Sequence, residues 1–418
     1  MAIPNKPRGT QDIYPPRSLL FQKIYQIITK ILHQNNYQPV IFPTFELAEL
    51  FTSSLGSTTD VIHKEMYTFA DRKGRQLALR PEGTASVVRL VCQNNLIKPG
   101  YPLKFYYWAN MFRYERPQAG RHREFWQLGV ELINASGVVA DCQILNLISD
   151  ILKSLGITDF TFNLNYLGGS QTKENYKKEL VKFIKRNNPG LCPDCQCRYQ
   201  TNPLRMLDCL TCQAINFPTY EKVWNNQNKN YVQELNHLLH QFNFAYQYNY
   251  RLVRGLDYYT GLVFEVDLGT KKAILGGGRY DYLYQAVAGR EVPALGFAFG
   301  IERLIDYLET SQPHSELLKI TQKVDIFFLT SITEFYPNIL TWKKELSNYP
   351  WAVDYNLEVR DLTNLPKIIA HYQPRLLIML GTKEWQSGKI VIKDCQKREE
   401  FGVKKAEVVK WIVNYLKQ

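Results

Sequence analysis

Two long aromatic and aliphatic stretches, residues 104–113 and 123–133, stand on either side of the polar run RPQAG. Each reads as a strand, and a short loop joins them antiparallel, since a parallel pair needs a crossover of about a dozen residues or more. A hairpin of this kind gathers what its loop carries at one end of a sheet. Here it gathers Arg113, Arg116, Arg121 and Arg123. Arginine's planar fork suits phosphate oxygens and also stacks on an aromatic base. Phe125 alternates from Arg123 along the strand and offers one face of such a sandwich. A solvated basic loop explains the same pattern.

Around this hairpin the chain mixes helices and strands. Residues 17–35 place Leu20, Ile24, Ile27, Ile28 and Ile31 on one helical stripe. Residues 40–42 read as a short strand stopped by Pro43, and YTFADRKGRQLALRPEG as a hairpin turning near Lys73 and Gly74. Residues 84–97 read as a helix with Thr84 as its cap, and 138–153 as another. From about Gly168 to Tyr246 two lysine-rich or polar helical stretches flank a segment with five of the eight cysteines, which reads as an inserted subdomain. Core-like sequence resumes at YRLVRGLDYYTGLVFEVDLG, whose later part alternates as a half-buried strand. ILGGGRYDYL is expected to form a glycine-rich turn, and PALGFAFGIERLIDYL a strand and an amphipathic helix. After a polar linker at 309–322, strands at 324–329, 351–355, 376–380 and 389–393 alternate with helices at 333–347, 365–371 and 403–416, the pattern of a small α/β domain. The expected division is therefore 1–167 and 247–315 as one domain, 168–246 as its insert, and 316–418 as a separate domain.

At 418 residues two or three domains are expected, and 45% hydrophobic content suffices for sizeable cores. A net charge of +12 favours a polyanionic or phosphorylated partner over a neutral small molecule. The opening MAIPNKPRGTQDIYPP has neither the apolar core of a secretory signal nor the character of a transit peptide, and no apolar run is long enough to cross a membrane. A cytoplasmic protein is expected, in which cysteines do not form a disulfide framework.

Several glycine-rich segments have charged neighbours: Arg80 to Gly83, Gly276 to Arg279, and Gly296 to Arg303. None forms a P-loop or a well-placed dinucleotide fingerprint. In LVRGLDYY, Arg254 and Asp257 sit in an otherwise apolar and aromatic stretch, where a buried charge must be paired or directed at a ligand. Cys192 with Cys195 and Cys209 with Cys212 form two C-x2-C knuckles separated by residues 196–208. Four thiolates are the ligand number of a structural zinc site, and such a closed site leaves no open position for catalysis. In a small polar insert a metal substitutes for a missing core.

These segments together resemble bacterial-type histidyl-tRNA synthetases. PRGTQD resembles the family's opening signature, and GSTTDVIHKEMYTFADRKGRQLALRPEGT the stretch ending in its amino-acid-binding loop. FRYERPQAGRHREFWQLGVE resembles class II motif 2, GFAFGIERL motif 3, and RLVRGLDYYTG and GGGRYDYL the two segments peculiar to histidine recognition. The resemblance implies an α+β fold: a class II antiparallel sheet flanked by helices, a helical insert, and a C-terminal α/β anticodon-binding domain. It implies a homodimer that uses ATP with Mg2+ to charge tRNA(His). Arg113 and Arg254 would act on the α-phosphate from opposite sides. Phe125 and Arg303 would sandwich adenine, with Arg121 and Arg303 near the outer phosphates. Glu82, Thr84 and Gln127 would hold the histidine amino group, and Glu131 and Tyr259 the imidazole nitrogens, with Tyr258 and Tyr280 lining the pocket. Arg116 and Gln118 would face the tRNA acceptor end. The rival is a catalytically silent relative that regulates ATP phosphoribosyltransferase. Such relatives typically lack the acceptor-handling arginines and the C-terminal domain, whereas Arg113, Arg254 and Arg303 stand here and a further domain follows.

Overall fold

The structure, a computed structural model, describes residues 3–54, 61–115, 121–270, 273–311, 317–318, 324–358 and 365–417. Its internal contacts divide the chain into two units, Met1–Lys319 and Ile320–Gln418.

The first unit opens with helix α1 (Arg17–Gln34), whose buried stripe is Leu20, Ile24, Ile28 and Leu32. Strand β1 is only Gln38–Pro39, because the chain leaves the sheet edge once Val40 has bonded to the Tyr106 carbonyl. Strands β2 (Phe45–Leu47), β3 (Thr68–Ala70) and β4 (Gln76–Leu79) form a small separate sheet, with α2 (Ala48–Ser54) after β2. The turn between β3 and β4 is closed by Asp71 and by Gly74 at φ 78°. Helix α3 (Thr84–Gln93) follows, then β5 (Leu103–Phe112), β6 (Glu124–Ile133) and α4 (Val138–Ser154). After β7 (Thr161–Tyr166) come α5 (Ser170–Asn187), α6 (Pro193–Thr201), α7 (Asn226–Gln241) and β8 (Tyr246–Tyr248). The unit ends with β9 (Thr260–Asp267), β10 (Leu275–Arg279), α8 (Leu283–Ala288), β11 (Ala294–Gly300) and α9 (Ile301–Ser311).

Eight of these strands build one sheet in the order β1-β5-β6-β11-β10-β9-β7-β8. Every neighbour from β5 to β7 is antiparallel, and β1 and β8 add to the two edges in parallel. The β5–β6 hairpin is its longest pairing, from Leu103 opposite Ile133 to Phe112 opposite Glu124.

The glycine run at 276–278 is not a turn but the buried central strand β10. A Cβ on Gly277 would lie 2.1 Å from the Gly296 carbonyl oxygen, so the strand needs glycine for close approach to β11. The arginine that ends β10 is buried as well. Arg279 Nε lies 2.7 Å from Asp141 Oδ1 of α4, with side chains 5% and 0% exposed. Its other nitrogens donate to the carbonyls of Ala135 and Gly137 at 3.1 and 2.8 Å, and Tyr231 of α7 donates to Asp141 at 2.6 Å. Burial pushes the Asp141 carboxyl up to about 6 despite Arg279. This bridge ties α4, α7 and the sheet together.

Between α5 and α7 the chain is not coreless, as its polarity suggested. Tyr176, Leu180, Leu204, Met206, Phe217 and Tyr220 are buried with Cys195, Cys209 and Cys212, and Tyr176 stacks on Tyr220 at 3.7 Å.

The second unit holds β12 (Ile326–Thr330), α10 (Tyr336–Leu346), β13 (Val353–Tyr355), α11 (Leu365–Tyr372), β14 (Leu376–Leu380), α12 (Thr382–Gln386), β15 (Lys389–Asp394), β16 (Glu399–Lys404) and α13 (Val408–Lys417). Its sheet runs β13-β12-β14-β15-β16, parallel through β14 and antiparallel beyond. β16 takes residues that the hydrophobic pattern gave to the start of the last helix.

Removing one partner of a buried ion pair strands the other's charge. Asp141→Ala is expected to destabilise the first unit by about 3–5 kcal/mol, read by urea unfolding, and Asp141→Leu combined with Arg279→Met to recover most of it.

Candidate active site

Strand alternation sets out one wall of the site. Phe125, Gln127 and Glu131 lie on the same face of β6, two and four residues apart. Glu131 is 2% exposed at the centre of the sheet, opposite Phe105 on one side and Gly296 on the other. Its Oε1 accepts from the Thr84 hydroxyl at 2.9 Å and its Oε2 from the Tyr280 hydroxyl at 2.5 Å. Burial pushes this carboxyl up to about 8, and the nearby Glu82 adds to the rise. A Cβ on Gly296 would sit 2.1 Å from Glu131 Oε2, so only glycine leaves room for the carboxylate.

Glu82 precedes α3 and closes its first turn. Its two oxygens accept from the backbone N–H groups of Thr84 and Ala85, both at 2.7 Å, satisfying donors that helix geometry leaves orphaned. Glu82, not Thr84, therefore does the capping, and the Thr84 hydroxyl is released to Glu131. Burial raises the Glu82 carboxyl, opposed by those N–H groups and by the Arg113 charge. Tyr107 of β5, which sequence reasoning did not single out, donates to Gln127 at 3.3 Å. The aromatic floor is Tyr258, Tyr259 and Tyr280, with Tyr258 4.6 Å from Tyr259 and 5.9 Å edge-on to Tyr280.

The cations are grouped beside this wall. Arg113, just past β5, lies 5.4 Å over the Phe125 ring, and its Nε donates to the Pro81 carbonyl at 2.8 Å. Arg121 pairs with Glu115 at 3.2 Å. Arg303, in the first turn of α9, donates to the Ala273 carbonyl at 3.0 Å. Burial, then the positive charges of Arg121, Arg113 and Arg254, lower the Arg303 guanidinium, with Glu115 acting the other way. Arg254 pairs with Glu265 of β9 and lies over β10, where a Cβ on Gly276 would come 2.3 Å from its Nη1. Arg116 and Gln118 lie outside the described residues.

The four knuckle cysteines meet in the segment between α5 and α7. Their sulfurs all lie within 4.8 Å of one another, with Cys192 and Cys209 3.7 Å apart, and Cys212 accepts the Cys192 N–H at 3.4 Å. Cys197 is exposed and not one of the set. Burial pushes the Cys209 thiol up, but N–H groups of Cys212 and Thr211 and the thiols of Cys195 and Cys192 outweigh it and bring it down to about 7. A zinc–sulfur bond of about 2.3 Å places tetrahedral sulfurs about 3.8 Å apart. The donor set and spacing fit that ion.

Asn202, Arg205 and Lys173 also reach the loop before β9 and carry no local signal in sequence, since each acts through a partner distant along the chain.

Comparison with known proteins gives one family. A family model described as histidyl-tRNA synthetase matches residues 9–304. A histidine–tRNA ligase of Bacillus subtilis is 36% identical over 96% of this chain and 96% of its own length. One of Desulfitobacterium hafniense is 37% identical, covering 98% of each. The crystal structure of apo S. aureus histidyl-tRNA synthetase superposes with a TM-score of 0.82 at 28% identity, covering 98% of this chain and 99% of that one. The eight-stranded, largely antiparallel sheet, the buried Glu131 and these full-length matches agree, and the chain belongs to the histidyl-tRNA synthetase family.

Proposed function

We infer that the Glu131 wall and the adjacent arginines form the centre where histidine is activated. The chain is a histidine–tRNA ligase. Histidine and Mg-ATP give histidyl-adenylate and pyrophosphate, and the histidyl group then passes to the 3′-hydroxyl of the terminal adenosine of tRNA(His), releasing AMP. The observation that carries the assignment is a buried carboxylate, Glu131, fixed by Thr84 and Tyr280 beside four electrostatically coupled arginines.

In the first step a carboxylate oxygen of histidine attacks the α-phosphorus as the bond to the bridging β-phosphate oxygen breaks. Negative charge builds on the α-phosphate oxygens. Arg113 and Arg254 stabilise it from opposite sides, with cations placed in advance of the reaction. Phe125 and Arg303 hold adenine between a ring and a guanidinium plane, and Arg121 and Arg303 meet the outer phosphates. Glu82, Thr84 and Gln127 bind the ammonium group of histidine. Glu131 and Tyr259 hold the two imidazole nitrogens, and Tyr258 and Tyr280 line the pocket. A side chain unable to satisfy this buried pair leaves polar groups unpaired and is rejected. By family resemblance Arg116 and Gln118 serve the tRNA acceptor end, residues 168–246 form an inserted subdomain, residues 316–418 bind the anticodon, and the enzyme is a cytoplasmic homodimer. Among the described residues no helix is long and apolar enough to cross a membrane.

Cys192, Cys195, Cys209 and Cys212 hold a structural zinc ion. What supports this is the convergence of four sulfurs, a donor set that fills zinc's tetrahedral shell.

Histidine-dependent exchange of pyrophosphate into ATP tests the activity. Exchange with histidine and with no other amino acid is expected, and its absence from folded protein with Mg2+ would favour the regulatory relative. Arg254→Ala is expected to lower exchange kcat by about 10²-fold or more, the scale of losing one transition-state donor. Elemental analysis of protein purified without chelator is expected to find about one zinc per chain. Glu131 also predicts a pH dependence of stability. Its folded pKa, about 8, lies above the ordinary carboxylate value of 4.5, so the folded state holds a proton that the unfolded state has lost. Its contribution is full below the ordinary value and is lost as pH rises toward 8. Across that window Glu131→Gln is expected to lose less Tm than the wild type, measured by calorimetry without ligands.

A further inference from the structure

Residues 196–208 are tied at both ends to the cysteine cluster, at Cys195 and at Cys209. Between those ties lie the end of α6 and the single 3-10 turn Pro203–Met206. The polar groups there point at the irregular loop that precedes β9. Asn202 Nδ2 donates to Asp257 Oδ1 at 3.0 Å, and Arg205 Nη1 to the Arg254 carbonyl at 3.3 Å. Arg205 is itself held by Asp208, the neighbour of Cys209, at 3.1 Å, while Arg198 donates to the Arg205 carbonyl at 3.2 Å. Past the cluster, the carbonyls of Cys212 and Ile215 accept from Arg251 at 3.3 and 2.7 Å. Lys173 of α5 completes the clamp by donating to the carbonyls of Asp257 and Tyr259 at 2.9 and 2.8 Å.

The loop is thus gripped at 251, 254, 257 and 259, and it carries the arginine and tyrosines assigned to the α-phosphate and histidine. A loop outside the strand ladder has no backbone register of its own, so its position follows whatever side chains hold it. We propose that the metal held by the four thiolates is a positioning device for histidine activation: by pinning both ends of residues 196–208 it sets Asn202 and Arg205 against the loop of Arg254, Asp257 and Tyr259. The inference rests on the zinc reading and on the roles given above to Arg254 and Tyr259. Asn202 and Arg205 are positioning residues, since they act on the reaction only through that loop. Apart from Arg254, the groups assigned to ATP are anchored elsewhere, Arg113 on Pro81 and Arg303 on Ala273. Loss of the clamp therefore touches histidine and the transition state while sparing ATP binding.

The test uses the full-length protein, with zinc content and exchange kinetics measured together. Asn202→Asp places a second carboxylate against Asp257, and Arg205→Ala removes the contact to Arg254. Both are expected to keep zinc while kcat falls about ten- to a hundredfold, the effect of a misplaced catalytic group. KM for histidine should rise and KM for ATP stay unchanged, a split that general destabilisation does not produce. Arg205→Lys should recover part of the loss. Stripping zinc from the wild type should give the same split, and adding zinc back should reverse it. Zinc-loaded variants and stripped enzyme with wild-type kcat and KM values would overturn this inference alone. Folded, histidine-activating protein that holds no zinc would overturn the zinc reading and this inference together.

Discussion

A carboxylate buried at the centre of a β-sheet dictates much of what surrounds it. A carboxyl group taken out of water is tolerated only when its oxygens are satisfied, and Glu131 has one oxygen on Thr84 and the other on Tyr280. That requirement fixes three elements at once: β6 through Glu131 itself, the start of α3 through Thr84, and the turn after β10 through Tyr280. It also fixes a glycine at 296, because the neighbouring strand must pass where a Cβ would strike the carboxylate. Thr84 in turn is free for this role because Glu82 takes over the helix cap. A second buried pair, Asp141 with Arg279, fastens the same end of β10 to α4, so the strand's exit is held by two adjacent residues.

The arginines meet the opposite problem. Like charges gathered beside a low-dielectric wall repel, and Arg303, depressed first by burial, is lowered further by that repulsion from Arg121, Arg113 and Arg254. Two carboxylates offset it, Glu115 against Arg121 and Glu265 against Arg254, while carbonyls of Pro81 and Ala273 orient the other two. Such a cluster is poised for a polyanion. In the ATP-binding role proposed for it, the cluster would offer a triphosphate charge already oriented and partly desolvated, leaving little reorganisation for the reaction itself.

The hairpin of β5 and β6, the helix α4 and the alternation that puts Phe125 on the face of Arg123 were legible in the sequence from local periodicity, whereas Gln127 and Glu131 came from the family resemblance. The four cysteines were legible by spacing. The glycines of β10 were not: a run of three reads locally as a turn, and only the closeness of Arg254 at Gly276, of β11 at Gly277 and of β9 at Gly278 explains them. Strand β16 was hidden for a similar reason. EEFGVK has weak strand character of its own and is drawn into the sheet by pairing with β15. Tyr107, Lys173, Asn202 and Arg205 could not be found at all from pattern. Lys173 reads as one more lysine on a polar helix, yet it is buried against two carbonyls far along the chain, and burial brings it down to about 8.

The site therefore combines two kinds of support. Glu131, Gln127 and Phe125 stand on a strand with hydrogen-bonded neighbours on both sides, where position is set by the ladder. Arg254 and Tyr259 stand on or beside a loop, where position is set by side chains from another part of the chain. A transition-state contact has reason to be placed on the second kind. Arg254 pairs with Glu265, and in the transition-state role proposed for it that partner would be exchanged for the α-phosphate, which a group committed to the strand ladder could not do. The exchange needs a loop that can move a short way, and productive geometry needs that loop to return to one place. The proposed metal knuckle behind the loop would meet both demands, because it would limit the excursion without making the segment part of the sheet.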